Sequence, residues 1–486
     1  MDGLIALGAF FLVVGVLLVW GKAQRMLGVF FMLRSNLGIR FIDYVAGLCP
    51  GFWRFLADYS VLLSFGGLGA YYLSSHRQSR GALYGSVLLS GALLALASAY
   101  AGRYESAVAF IALSLSVWFL MSRLESPLLD AILSMAYLML AFAQVFDVFT
   151  SALYGFFGLP AVMVYLLSTH GLNIVTAKTS LPGISPMLPS ERGGSIGVGF
   201  PGYDLFVPWW HALIALFITL AAHEGAHGIM IRVAKVRLKS TGVLTLLTMP
   251  IGAFVEPDDE ELKQRPSVDR MRVYTVGSFA NLIVGLAAAA GMFLLISASS
   301  SVVYSDGMRV VGFMDGYPAK DVLKEGSVIY SVDGVSTTDL ALYRNATGAH
   351  KPGDVLSLET SEGRFDIKLM DSKDEPGKAY MGVYLADNLR IRGFVGMLVS
   401  VAVLGFLLES LGWVAFFNIN IALVNLLPIV PFDGGGMFKE LLQVPSMSEA
   451  AVKRFLYASA AVMGVLFVVN VIPLLRLFWG FLVSLV

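Results

Sequence analysis

Cysteine is almost absent. Cys49 stands alone among 486 residues, which excludes an internal disulfide framework and leaves the redox compartment unread. Charge is scarce too: 14% of residues are Asp, Glu, Lys or Arg, against about 25% in a soluble domain. The 34 basic and 34 acidic residues cancel, so there is no basic field, and nucleic acid is excluded as a partner. Internal repeats and low-complexity tracts are lacking. What remains is apolar: 57% of residues are hydrophobic and the mean hydropathy is +0.74. Such a chain is a membrane protein, and the lipid bilayer is its first partner.

A bilayer core takes about 20 apolar residues per helix. Runs of that kind lie at 3–20, 59–75, 82–101, 104–121, 128–148, 151–168, 207–231, 273–298, 411–430 and 455–475. They predict an α-class, polytopic helical membrane protein with about ten spans. The first run has Asp2 before it and Lys22 and Arg25 after it, so it reads as a retained helix with its N-terminus out rather than a signal peptide. Residues 391–410 are apolar but open between Arg390 and Arg392 and contain Glu409; they are expected to form an interfacial or reentrant helix.

Two stretches differ in composition. Residues 169–206 are polar and rich in Pro and Gly, as suits an extramembrane loop or lid. Residues 301–390 carry short β-like runs (Met308–Phe313, Ser327–Val332, Val355–Glu359, Phe365–Leu369) separated by Asp315-Gly316, Asp333-Gly334 and Pro352-Gly353. These are strand and turn signals and predict one small β-rich domain inserted between membrane helices. The order is then accessory helices over 1–168, the lid, a core over 207–300, the inserted domain, and a C-terminal core over 391–486. With the N-terminus outside, the inner loops hold 17 basic residues and the outer loops 5. The positive-inside rule favours that orientation in the cell membrane, with the inserted domain outside the cytoplasm.

Chemistry concentrates in His223-Glu224-Gly225-Ala226-His227, inside the apolar run 207–231. The spacing sets both imidazoles on one helix face, one turn apart, where they can share one Zn2+. Glu224 lies beside them as a general base for water activated by the metal. A carboxylate at the centre of a membrane helix costs about 2.5–3.5 kcal/mol, which argues for function over chance. His211, twelve residues upstream, is too far along the axis to join the metal and reads as an interfacial or lid residue. Two histidines leave a catalytic zinc one protein ligand short. The third comes from a carboxylate, either Glu256 or Asp433. Asp433 ends an apolar run and precedes glycines that could let it swing onto a metal.

The joint pattern resembles the site-2 protease family of intramembrane zinc metalloproteases. Its elements are His223-Glu224-x-x-His227 in a membrane helix, the segment Met249–Glu256, Gly277-x-x-x-Asn281, and Asn425-x-x-Pro428-x-x-Pro431-x-Asp433-Gly434-Gly435. The resemblance implies that His223, His227 and Asp433 bind zinc and that Glu224 is the base. It also implies that Asn281 and Asn425 line the site for substrate backbone or oxyanion, and that 249–256 presents a β-edge. The active site would lie toward the cytoplasmic half. Substrates would be membrane proteins with a transmembrane helix, such as anchored regulators already trimmed outside. Tyr317-Pro318-Ala319, Leu323, Gly326–Ile329 and Val332-Asp333-Gly334 resemble a PDZ domain, with Tyr380–Tyr384 as the strand that takes a peptide ligand. A membrane scaffold needs no base beside its metal, and an ion transporter needs acidic and histidine residues on several helices. Neither fits as well.

Overall fold

The computed structural model describes residues 23–27, 30–246, 249–373, 375–393, 399–443 and 447–484, together with Gly8. The expected span at 3–20 lies, but for Gly8, outside them. The chain divides into two units, Met1–Ala288 with Trp413–Val486, and Ala289–Gly412.

The first unit is helical. In chain order it contains α1 (Ile39–Leu48), α2 (Pro50–Ser75), α3 (Arg77–Tyr100), α4 (Tyr104–Leu124), α5 (Pro127–Phe142), α6 (Val148–Phe157), α7 (Leu159–Val175) and α8 (Trp209–Val233). The helix α9 (Ser267–Ser299) follows. Among the described residues six helices are long and apolar enough to cross a membrane. These are α3, α4, α8, α9, a helix over Val401–Asn425, and one over Glu449–Gly480. Six of the ten expected runs are thus matched by such a helix among the described residues, and where three others fall short the reasons are local. The run 59–75 belongs to α2, which breaks at Gly66 (φ 56°, ψ −130°). The run 128–148 stops at Phe142, because Asp147 caps a new helix by accepting from the Thr150 N–H at 3.0 Å. The run 151–168 divides at Gly158, which has φ 77° and is followed by Pro160.

The N-terminal helices are tied to α9 by buried polar contacts. Arg272 donates from Nε to Asp58 Oδ1 (2.8 Å) and from Nη2 to Asp58 Oδ2 (2.7 Å) and Ser79 Oγ (3.0 Å). Ser60 Oγ donates to Thr275 Oγ1 at 2.7 Å. The Arg272 and Asp58 side chains are 5% and 1% exposed, so Asp58 depends on Arg272, which also pairs with Asp269 on its own helix through Nη1 at 2.9 Å. Asp58→Ala leaves the buried guanidinium with Asp269, 2.9 Å from its Nη1, as the remaining counter-charge and strips Nε of its acceptor, and is expected to destabilise by about 1–3 kcal/mol. A thermal unfolding midpoint unchanged from wild type in detergent would contradict this.

Two small sheets complete the first unit. Residues 176–208 hold β3 (Leu188–Arg192), β4 (Ser195–Gly199) and β5 (Phe206–Pro208) in one antiparallel sheet, after β1 (Ala23–Leu27) and β2 (Phe30–Ser35) near the N-terminus. The lid thus starts later than 169, since α7 runs on to Val175. After α8 comes the hairpin of β6 (Leu238–Leu246) and β7 (Met249–Pro257), and β1 and β2 extend it in the order β1-β2-β6-β7. One edge of β6 is covered by β2 (Met32↔Leu244, Arg34↔Gly242). The far edge of β7 pairs with no strand among the described residues.

In the second unit, β8 (Val303–Phe313), β9 (Val328–Val332), β10 (Val355–Thr360), β11 (Gly363–Lys368) and β12 (Val383–Ile391) form a sheet in the order β11-β10-β9-β8-β12. Alternate residues of β10 are buried, the period-2 pattern of a sheet with one face on a core. That core includes Val310, Ile329, Val332, Leu356, Leu358 and Ile367. The helix α10 (Leu340–Gly348) is capped by Asp339, which accepts from the Leu342 N–H at 2.8 Å. The expected strand Tyr380–Tyr384 is interrupted at Met381–Gly382, and the long strand begins at Val383. The chain then enters α11 (Val401–Asn425). Residues 401–410 are the start of this one helix rather than an element of their own. It is followed by α12 (Asp433–Leu441) and α13 (Glu449–Ser484).

Candidate metal centre

His223 and His227 lie one turn apart on α8, 7% and 8% exposed. Asp433, the first residue of α12, comes to meet them. His223 Nε2, His227 Nε2 and Asp433 Oδ2 form a triangle with every edge 3.1 Å. Ligand atoms of a tetrahedral zinc, each about 2.0–2.1 Å from the ion, lie about 3.3 Å apart. Two imidazoles and one carboxylate are also a donor set that catalytic zinc takes. The residues therefore fit the metal. The orientation of His227 agrees: its Nδ1–H donates to the Val273 carbonyl at 2.7 Å, which leaves the Nε2 lone pair facing the other two donors.

Glu224 is not in the triangle. Its Oε2 accepts the Val255 N–H of β7 at 3.0 Å, so this carboxylate is moored to the strand with the unpaired edge. Glu256, the other carboxylate the sequence offers as third ligand, is engaged elsewhere. Its oxygens accept from Ser240 Oγ at 2.5 Å and from Arg34 Nε and Nη2 at 3.0 and 3.1 Å. The Ser240 hydroxyl, aided by Arg34, holds the Glu256 carboxyl below its usual range against the opposing effect of burial. His211 is buried near the start of α8, about 18 Å along the axis from His223. Asn425 ends α11 half-buried, and among the described residues no hydrogen bond joins its side chain to the triangle.

The glycines after Asp433 do not act as a swing. A Cβ on Gly434 would lie 2.1 Å from the Leu427 carbonyl oxygen, so the turn packs where a side chain cannot fit. Tyr274 lies against Gly436. Farther along α12, Glu440 accepts from Arg270 Nε at 2.8 Å and Nη2 at 2.7 Å, and is 1% exposed. The helix carrying Asp433 is anchored at both ends rather than mobile.

The supports of the two histidines and of α12 at Gly436 and Glu440 come from one face of α9. Arg270, Val273, Tyr274, Gly277 and Asn281 are spaced as one helical stripe. Val273 and Asn281 reach the two histidines. Gly277 gives His227 its space: a Cβ there would stand 2.2 Å from His227 Nε2. The Val273 carbonyl and the Arg270–Glu440 pair have no motif of their own in the sequence. The regular spacing down α9 from Gly277 and Asn281 is the signal that could have found them.

A family model described as Peptidase family M50 matches residues 211–469, just over half of the chain and the whole metal triangle. The chain belongs to peptidase family M50. Among its M50-type relatives, the membrane-bound transcription factor site-2 protease homolog of Arabidopsis thaliana is 24% identical over 230 residues, 47% of this chain and 39% of that protein. Membrane metalloprotease ARASP, chloroplastic, of the same plant is 24% identical over 329 residues, 50% of this chain and 72% of its own. An uncharacterized protein of Methanocaldococcus jannaschii is 29% identical over 276 residues, covering 56% of this chain and 67% of that one. The chain thus spans well under half of the site-2 protease homolog. The solved PDZ domain of an SdrC-like protein from Listeria monocytogenes aligns with 17% of this chain and 88% of its own, at 29% identity and a TM-score of 0.16. That likeness is too slight to assign the fold of residues 303–391.

Proposed function

We propose that this M50 peptidase is a zinc-dependent intramembrane endopeptidase, hydrolysing peptide bonds within or near the transmembrane helices of membrane-anchored proteins. The reading rests on one observation. The 3.1 Å triangle joins Asp433 of α12 to His223 and His227, which with the adjacent Glu224 stand on α8, a helix long and apolar enough to lie across a bilayer. The three donors would hold the zinc, which when bound supplies Lewis acidity to the carbonyl under attack and to water.

Glu224 takes the proton from the attacking water and passes it to the amine nitrogen as the C–N bond breaks. A substrate helix must first unwind at the bond to be cut, and in lipid its freed N–H and C=O groups need new partners. The unpaired edge of β7 supplies them by strand addition, and the Glu224–Val255 contact keeps the base beside that edge. An N-terminus and residues 303–391 outside the cytoplasm, with the metal toward the inner half, follow from the basic-loop count when all ten apolar runs cross the membrane, the broken ones included. Residues 303–391 act as a PDZ-like domain that takes an extended peptide beside β12.

The test is cleavage of a single-span substrate by purified protein in detergent. Product termini inside the span are expected, with activity abolished by a chelator and restored by zinc. Cuts confined to the soluble flanks, or indifference to the chelator, would overturn the reading.

A further inference from the structure

We propose that Asn281 fixes the tautomer of His223, acting as a positioning residue for the metal rather than as a substrate or oxyanion ligand. The inference rests on the zinc reading above and concerns how one of its ligands is aimed.

Asn281 is fully buried on α9, one turn beyond Gly277. Its Nδ2 lies 3.1 Å from His223 Nδ1, while its Oδ1 is buried with no hydrogen-bond partner among the described residues. A neutral imidazole carries one N–H. If Nδ1 of His223 accepts from the amide, the ring proton sits on Nε2, aimed into the triangle, where no lone pair remains for a metal. The two ends of a carboxamide have nearly the same shape and exchange by a half-turn. After that turn Oδ1 accepts from Nδ1–H and the Nε2 lone pair faces the metal, while Nδ2 takes the unpartnered place that Oδ1 held; what the turn gains is the free lone pair, not a hydrogen bond.

His227 meets the same requirement by donating to the Val273 carbonyl. The two supports are eight residues apart on α9, about two turns, and serve the histidines in reverse order, as α9 returns along α8. The position also argues against substrate contact. Nδ1 and Nε2 point away from each other across the ring, so a group seated at Nδ1 cannot reach a carbonyl held at Nε2.

Zinc affinity by chelator competition on the purified full-length protein, beside the cleavage rate at saturating zinc, tests this. Asn281→Leu removes the acceptor and should weaken zinc about 10–100-fold. Asn281→Asp keeps an acceptor for Nδ1–H and should bind zinc at least as tightly as wild type. Wild-type zinc affinity in Asn281→Leu with a collapsed rate at saturating zinc would return Asn281 to the substrate side and overturn the proposal. Equal weakening in both variants would overturn it too, and where Asn281→Leu fails to fold, Asn281→Asp alone decides. A wild-type protein that binds no zinc would instead sink the metal reading itself.

Discussion

Glu224→Gln will hold zinc and lose peptide hydrolysis. The substitution preserves the shape of the side chain and an oxygen to accept the Val255 N–H, which now makes a 3.0 Å bond to Glu224 Oε2. It leaves untouched the three donor atoms of the triangle. What it removes is the ability to take a proton from water and return it to the leaving amine. General-base catalysis contributes about 10²–10⁴-fold, and a fall of that size is expected in the turnover of a single-span substrate, at a zinc content equal to wild type. Turnover above about a tenth of wild type would place the base elsewhere. Loss of zinc together with activity would show that Glu224 supports the metal instead.

Gly277→Ala should be the most damaging of the small substitutions. On helix propensity alone it stabilises by about 1 kcal/mol. Here the added methyl would stand 2.2 Å from His227 Nε2 and 2.8 Å from Cδ2 and Cε1, distances no side chain tolerates. The ring cannot retreat along its plane, because Nδ1 is held by the Val273 carbonyl. His227 must therefore leave the triangle, taking one of three protein ligands. Zinc stoichiometry well below one per chain is expected in elemental analysis, with activity down at least about 100-fold. Full zinc and full activity in Gly277→Ala would mean that α9 and α8 lie farther apart than the structure has them.

The chemistry was readable wherever it depends on residue type at short spacing. His223, Glu224 and His227 fall within five residues, and Asp433 stands in a run of prolines and glycines that no ordinary membrane helix carries. The partners that aim them were not readable, for two physical reasons. Val273 acts through its backbone carbonyl, which every residue has, so its side chain carries no sign of the role. Glu256 is occupied by Arg34, 222 residues away in the chain, and only the pairing of β2 with β6 brings the guanidinium over. Hydropathy predicted apolar runs well but not their continuity. Gly66 and Gly158 break helices inside runs that read as unbroken, because hydropathy has no term for backbone angle. The glycines after Asp433 misled in the other direction, suggesting freedom where the packing requires tight contact. In the inserted segment the β-runs and turn dipeptides located the strands of the second unit closely, since alternating burial leaves its period in the sequence.

The Asp58–Arg272 pair bears on how far this peptidase can be cut down. The family match begins at residue 211, which suggests a catalytic part separable from the helices before it. Yet Arg272 lies within that part, on the helix that aims both histidines, and the more buried of its two counter-charges, Asp58, comes from before it. A shortened chain starting near residue 200 would strip Arg272 of Asp58 and Ser79 and leave it Asp269 alone. The early helices are dispensable by their place in the sequence but not by electrostatics. An insertion or deletion among them would act on α9 through Asp58, Ser60 and Ser79, without touching any residue of the triangle.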